Sequence, residues 1–170
     1  MHISQIIKAA SAFIAGIFIT FSQAHDADVA MLGLVIMSAG WAVASVFDVL
    51  KKRQPVLNGI IILAASYMIY CATSFEANNA TTMAWILLMA WGLFGAIAEL
   101  IFALRAEKKS VARRDYLINS VLAIGLFAAQ AAITKASDSV SHVGFFGAYA
   151  IILAIHLGIA AASPNAKSKA

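Results

Sequence analysis

Six long apolar segments, separated by short polar breaks, make up most of this chain. A helix needs about 20 mostly apolar residues to cross the hydrocarbon core of a bilayer, and each of these segments is about that long. The pattern therefore predicts an all-α integral membrane protein. Its six transmembrane helices are predicted over residues 3–22, 29–50, 56–74, 82–105, 116–134 and 142–162.

The composition supports this interpretation and excludes a soluble domain. Of the 170 residues, 62% are apolar and 12% are charged, whereas soluble domains average about half apolar and about a quarter charged. We expect one membrane domain in the chain, with residues 164–170 as a short polar tail. Because Cys71 is the one cysteine, an intrachain disulfide and a multi-cysteine metal site are both excluded. No metal or other cofactor is predicted.

The basic residues indicate the orientation of the helices. Ten of the twelve Lys and Arg residues lie in the loops after the second and fourth segments or in the tail. By the positive-inside rule, both termini are predicted to face the cytoplasm of a bacterial inner membrane. The bilayer is the expected partner, with a homo-oligomer or another membrane protein as a further association, and nucleic acid is not expected. Alternatively, the first 24 residues form a cleavable secretory signal.

The chain reads as one helical hairpin written three times, approximately over residues 1–53, 54–109 and 110–163. Three polar residues occupy one equivalent position in the first helices, and three ionisable residues occupy another in the second helices. These two sets are Lys8, Asn58 and Asn119, and Asp48, Glu99 and His156. This register predicts a pseudo-threefold bundle.

A competing register for the last hairpin aligns "GLFGAIA" at Gly92 with "GFFGAYA" at Gly144. It pairs Glu99 with Ile151 and leaves His156 unmatched. We prefer the first register because it keeps the three hairpins similar in length. The glycines of both motifs favour close helix packing, since small residues let helix backbones approach one another in membranes.

Three hairpins, a glycine-containing second helix such as "GLVIMSAGWAVASVFDVLKKR" and basic hairpin exits resemble the HdeD family. This family comprises small six-helix bacterial inner-membrane proteins, and the resemblance covers nearly the whole chain. It implies a link to acid or envelope stress. It carries over no catalytic residue.

One polar residue per helix is predicted to lie near the cytoplasmic end of the bundle. An ionisable group at the centre of a membrane helix costs about 2.5–3.5 kcal/mol on insertion scales, so each needs a partner or a role. We expect Lys8 to pair with Asp48, and Glu99 beside His156 would form a pH-sensitive pair. This cluster is either a site for an ion, proton or lipid headgroup, or a purely structural network. Its members are Lys8, Asp48, Asn58, Glu99, Asn119 and His156.

Two tryptophans are predicted nearer the middle of the bilayer. Trp41 and Trp91 either line a cavity or pack in the core, and an indole N–H buried there requires a partner. The sequence contains no paired-histidine, Gly-x-Ser-x-Gly or acidic metal-binding motif, so no catalytic residue is predicted. The favoured function is that of a non-catalytic accessory or stress-related membrane protein. The alternative is a small transporter, a channel or a substrate-binding transporter subunit.

Overall fold

The computed structural model describes residues 3–74, 79–133 and 139–163, and every regular element in these ranges is a helix. The helices follow one another through short connections. In chain order they are α1 (Ile3–Phe21), α2 (Ala27–Leu50), α3 (Pro55–Thr73), α4 (Ala80–Arg105), α5 (Val111–Ala132) and α6 (Ser139–Ala162). The all-helical prediction is confirmed. The predicted tail at residues 164–170 lies outside the described ranges.

All six helices are long and apolar enough to cross a membrane. The shortest has 19 residues, which is about 28 Å at 1.5 Å per residue. Their outward faces carry large apolar side chains such as Leu63, Val121 and Ile159, each more than 60% exposed. Such faces are stable against lipid and unfavourable in water. These properties indicate a multi-pass membrane protein.

The largest boundary correction concerns α5, which begins five residues before the predicted start at residue 116. The side chain of Ser110 accepts a hydrogen bond from the backbone N–H of Arg113 at 3.1 Å and so caps the helix. This bond satisfies a backbone donor that the first turn would otherwise leave unpaired. The basic turn that follows is therefore helical, although its composition resembles a loop.

The even-numbered helices α2, α4 and α6 contact one another, while each odd-numbered helix packs outside them. Helix α1 lies against α2 and α6, α3 against α2 and α4, and α5 against α4 and α6. The most apolar windows of α2, α4 and α6 are accordingly 50% buried, compared with 39%, 33% and 28% for α1, α3 and α5. The pseudo-threefold repeat of three hairpins stays a prediction.

Gly92 brings α4 and α5 into backbone contact. A Cβ atom at this position would lie 2.8 Å from the backbone nitrogen of Phe127 and 2.9 Å from the carbonyl oxygen of Ala123. Gly147 is also tight, since a Cβ there would lie 2.8 Å from the side chain of Ile19. The expected packing role of Gly144 is wrong, because nothing lies within 4 Å of a Cβ built there.

Candidate functional site

A cleft of about 680 Å³ lies at the end of the bundle that carries the two basic loops, and all six helices contribute to its lining. We call it the basic-loop cleft. It is bounded by the starts of α1, α3 and α5, the ends of α2, α4 and α6, and the loops before α3 and α5. Its lining residues are Ser4, Gln5, Asp48, Arg53, Gln54, Asn58, Phe102, Glu107, Lys108, Lys109, Ser110, Val111, Ala112, Asp115, Tyr116, Ala160 and Ser163.

Three acidic and three basic side chains line this cleft, so their formal charges cancel. They are Asp48, Glu107 and Asp115, and Arg53, Lys108 and Lys109. Their depths differ, since Asp115 is buried, Asp48 and Arg53 are half-buried, and Glu107, Lys108 and Lys109 are exposed. The inner part of the cleft thus carries two carboxylates and one guanidinium, and its rim carries one carboxylate and two ammonium groups. The cleft is neutral as a whole, with a net negative inner wall and a net positive rim.

The loop before α3 is held against the cleft by a buried amide. The Nδ2 atom of Asn58 donates to the carbonyl oxygen of Arg53 at 2.8 Å and to that of Gln54 at 3.4 Å. Gln54 has a φ of 42° and Lys109, in the other loop, a φ of 67°. Non-glycine residues adopt this left-handed conformation at an energetic cost and often do so at functional sites. Both loops thus present residues to the cleft from strained backbone.

Two stacked aromatic rings form part of the cleft wall. The rings of Phe102 and Tyr116 have centroids 5.3 Å apart and an interplanar angle of 22°. The Nζ atom of Lys8 lies 5.9 Å from the centroid of Phe102. A single phenylalanine ring therefore contacts both the cleft and a buried lysine.

Lys8, Glu99 and Asn119 form a buried charged network, which we call the Lys8–Glu99 centre. Lys8 Nζ lies 3.6 Å from Glu99 Oε1, and Asn119 Nδ2 donates to Glu99 Oε2 at 3.3 Å. All three residues are less than 10% exposed. Lys8 also lies 5.5 Å from the ring centroid of Trp41. Opposite charge, an amide donor and an aromatic face together compensate for the desolvation of both ions.

A cavity of about 20 Å³ adjoins the Lys8–Glu99 centre. Trp41 and Trp91, the two predicted cavity candidates, both line it, and their rings meet edge to face at a centroid distance of 5.7 Å. Tyr149, Glu99 and Asn119 also contribute, and Asn119 Oδ1 has no hydrogen-bond partner. Most of its lining is apolar, but Glu99, Asn119 and Tyr149 supply polar groups. A cavity of this size has room for about one water molecule, which would satisfy that oxygen.

The expected ion pair between Lys8 and Asp48 is wrong, since Lys8 pairs with Glu99 instead. The reason is depth. Lys8 lies five residues from the start of α1 and Glu99 six residues from the end of α4, whereas Asp48 lies two residues from the end of α2. At 1.5 Å per residue, Lys8 and Glu99 occupy about the same level. Asp48 lies nearer the surface and lines the cleft.

The predicted six-residue cluster divides into separate groups. Lys8, Glu99 and Asn119 meet in the centre, while Asp48 and Asn58 line the cleft. His156 is half-buried, and its Nε2 atom has no hydrogen-bond partner. The expected pairing of His156 with Glu99 is not formed in the described part of the chain, where Glu99 contacts Lys8 and Asn119.

Asp115 is the main residue of the cleft that the sequence analysis did not identify. Its sequence neighbours Arg113 and Arg114 made it resemble part of a basic loop. Asp115 and Asn119 are four residues apart, however, and residues at this spacing share one face of a helix. Both are in fact buried. Extending the helical periodicity of α5 toward its start would have placed Asp115 one turn from Asn119, on the same face and nearer the basic loops.

A second buried polar pair lies near the opposite end of the bundle. His142 Nδ1 and Gln130 Oε1 are 2.7 Å apart, and Gln130 Nε2 donates to the His142 carbonyl oxygen at 2.9 Å. The indole N–H of Trp85 donates to the carbonyl oxygen of Gln130 at 2.8 Å. Between Asn119 and Gln130, a distance of about 16 Å along α5, the buried residues of this helix are apolar. Along this helix, the two polar layers are therefore separated by apolar residues.

Within residues 3–74, 79–133 and 139–163, no three His, Cys, Asp or Glu side chains are grouped closely enough to hold a metal ion. The basic-loop cleft provides charges of both signs to a ligand, and the Lys8–Glu99 centre lies beneath its aromatic wall.

Comparisons with known proteins give no relative for this chain. No family model, no curated protein and no solved structure matches it. The resemblance to the HdeD family therefore stays a prediction.

Proposed function

We propose that this chain is a non-catalytic, multi-pass protein of the bacterial inner membrane that binds a small polar ligand from the cytoplasmic side. The observation that carries the proposal is the basic-loop cleft. Its volume of about 680 Å³ lies within the range of about 300–1,000 Å³ that is typical of small-molecule sites. All six helices and both basic loops supply its lining, so a bound ligand would lie where the six helix ends converge.

The Lys8–Glu99 centre gives this cleft a rigid base. A buried ion pair contributes little net stability, but removing one partner is costly, so the pair resists separation. Lys8 contacts α4 through Glu99 and Phe102, and α2 through Trp41. We infer that the centre fixes the relative positions of α1, α2 and α4 beneath the ligand.

Transport is the second candidate, and the Gln130–His142 pair at the opposite end favours it. A transporter needs polar groups on both sides of the membrane and a rearrangement that connects them. The apolar residues of α5 between the two layers favour ligand binding in the present conformation. Uptake of a bound solute into proteoliposomes would distinguish transport from binding.

The HdeD resemblance implies a stress-related role. Such a role is compatible with both ligand binding and transport, because it would depend on which ligand the cleft binds.

Filling the cleft is expected to abolish ligand binding. Ala112 is exposed and lines the cleft, so Ala112→Trp would place an indole there and occupy part of the cleft without changing its charge. Thermal unfolding of the detergent-purified full chain would be followed by circular dichroism with glycine, O-phosphoethanolamine, ethanolamine or inorganic phosphate. At 100 times its dissociation constant, a bound solute adds about 2.7 kcal/mol of stability and raises Tm by about 5–10 °C.

The matched control is Val121→Trp, which places the same side chain on the exposed face of the same helix. We expect the control to keep the solute-dependent increase in Tm and Ala112→Trp to lose it. The proposal is contradicted if none of the four solutes stabilises the protein. It is equally contradicted if the stabilisation persists in Ala112→Trp.

The proposed orientation predicts opposite labelling at the two ends of the bundle. In a Cys71→Ser background, single cysteines would replace Lys108 in a basic loop and Ala24 between α1 and α2, both of which are exposed. An impermeant maleimide added to whole cells should label the cysteine at position 24 after permeabilisation of the outer membrane, and the one at position 108 after cell lysis. Labelling of position 108 in intact cells, with protection of position 24, would reverse the orientation.

A further inference from the structure

The inner wall of the basic-loop cleft offers a buried carboxylate with a weak partner. Asp115 is 7% exposed, and its Oδ1 atom lies 3.8 Å from the Nε atom of Arg114. The Arg114 side chain is 71% exposed, so water competes for its charge and an ion pair of this kind contributes little. A buried carboxylate gains much more from a cation that is held inside the cleft with it.

Two further acceptors in the cleft lack donors. The Oε1 atoms of Gln5 and Gln54 are buried without a hydrogen-bond partner, and both residues line the cleft. A buried polar atom without a partner costs about 1–3 kcal/mol, so native structures normally supply one. Asp48 and Asp115 line the same cleft, so four of its side chains carry acceptor oxygens, and we call these four residues the acceptor wall. The two glutamine oxygens are covered by protein atoms, so a ligand would reach them after rotation of the amide groups. Such a wall fits a group that carries several N–H donors, and a primary ammonium carries three.

The aromatic wall favours a cation as well. The faces of aromatic rings attract positive charge, and Phe102 already contacts the ammonium group of Lys8 from within the bundle. The stacked ring of Tyr116 lines the cleft beside Asp115. A second ammonium group in the cleft would thus meet both carboxylate and ring.

The rim of the cleft favours an anionic group. Lys108 and Lys109 are exposed, lie in the loop before α5 and line the cleft, where they outnumber the exposed carboxylate of Glu107. Because the lining carries both acidic and basic residues, a ligand with charge of one sign would leave one set of them unmatched, whereas a ligand with an ammonium and an anionic group would match both.

We infer that the ligand of the basic-loop cleft is a small zwitterion with a primary ammonium group. The ammonium group lies toward Asp115 and the acceptor wall, and the anionic group lies toward Lys108 and Lys109. This inference rests on the proposed function and specifies its ligand class. The zwitterion is either a free solute or the headgroup of phosphatidylethanolamine, since both present an ammonium group and an anion on a short chain.

The test compares matched probes on the full chain in detergent by isothermal titration calorimetry. O-phosphoethanolamine is expected to bind at least tenfold more tightly than ethanolamine, which carries only the ammonium group. It should exceed inorganic phosphate, which carries only the anionic group, by a similar factor. Phosphocholine has the same two charges, but its quaternary ammonium carries no N–H donor. We expect it to bind several-fold more weakly, because it cannot satisfy the acceptor wall.

Two variants test the two ends of the ligand. Asp115→Asn is expected to weaken O-phosphoethanolamine binding at least tenfold, with Asp28→Asn, an exposed residue near the start of α2, as its control. Lys108→Gln is expected to weaken binding several-fold, with the exposed Lys51→Gln at the same end of the bundle as its control. Since Lys108 is exposed, its variant should fold even if Asp115→Asn does not.

The outcomes separate the ligand class from the proposed function. If ethanolamine or phosphate alone binds as tightly as O-phosphoethanolamine, the cleft binds a ligand but the zwitterion inference is wrong. If phosphocholine binds equally well, the acceptor argument is wrong. If no probe binds, the proposed function fails. Competition by phosphatidylethanolamine vesicles, but not by phosphatidylcholine vesicles, would identify the lipid headgroup as the source of the zwitterion, and its absence would identify a free solute.

Discussion

Lys8→Met is expected to lower the free energy of unfolding by about 3–5 kcal/mol, because it leaves the buried Glu99 carboxylate without its counter-charge. The two side chains are each 10% exposed and lie 3.6 Å apart, so water cannot replace the lost partner. Glu99→Leu is expected to cost a similar amount by leaving the Lys8 ammonium unpaired. Equilibrium unfolding of each variant in mixed detergent micelles, followed by circular dichroism, measures both effects.

The double variant distinguishes direct pairing from two independent effects. Lys8→Met with Glu99→Leu removes both charges, so its loss should be well below the sum of the two single losses. The same cycle with Asp48→Asn in place of Glu99→Leu is the control. Asp48 lines the cleft and does not contact Lys8, so its effect should add to that of Lys8→Met. Additivity between Lys8 and Glu99 would contradict the ion pair.

The membrane helices were predictable because lipid imposes a strong length requirement on apolar segments. All six exist, and the ends of α2 and α4 coincide with the predicted residues 50 and 105. The start of α5 was not predictable from hydropathy, since three of its first five residues are Arg113, Arg114 and Asp115. A capping serine, rather than apolar character, begins that helix.

The members of the Lys8–Glu99 centre were identifiable because ionisable residues within apolar helices are rare and costly. Their partners were not. The sequence analysis paired Lys8 with Asp48 because both belong to one predicted hairpin, but contact depends on depth and on which helices face each other. Glu99 belongs to α4, and the hydropathy pattern of each helix does not show that α4 packs near α1.

The basic-loop cleft could not be derived from the sequence, because its shape depends on loop conformation. Gln54 and Lys109 adopt left-handed backbone angles although neither is a glycine, for which such angles are common. The charges in these loops predict an orientation of the chain, which stays a proposal. Their convergence on one cleft appears only when all six helix ends are placed together.

The contact between α4 and α5 gives the second large expected effect. Gly92→Val should lower the free energy of unfolding by about 3 kcal/mol, at the upper end of the usual cost of overpacking. A Cβ at Gly92 would meet the backbone of Phe127 and Ala123, and backbone atoms cannot move aside as the end of a flexible side chain can. The two helices would have to separate.

Gly125 provides the matched control, because it lies on α5 itself and nothing lies within 4 Å of a Cβ built there. Gly125→Val should change the free energy of unfolding by less than about 0.5 kcal/mol, as is usual for substitutions that meet no neighbour. Both variants would be unfolded in the same micelles as the Lys8 series. Equal effects at the two glycines would contradict the close approach of α4 and α5 at Gly92, since helix propensity favours valine over glycine at both positions. Asn119 lies on α5 one helical turn from Ala123, so separation of α4 and α5 should also weaken the hydrogen bond from Asn119 to Glu99. The coupling energy between Lys8 and Glu99 should therefore be smaller in the Gly92→Val background.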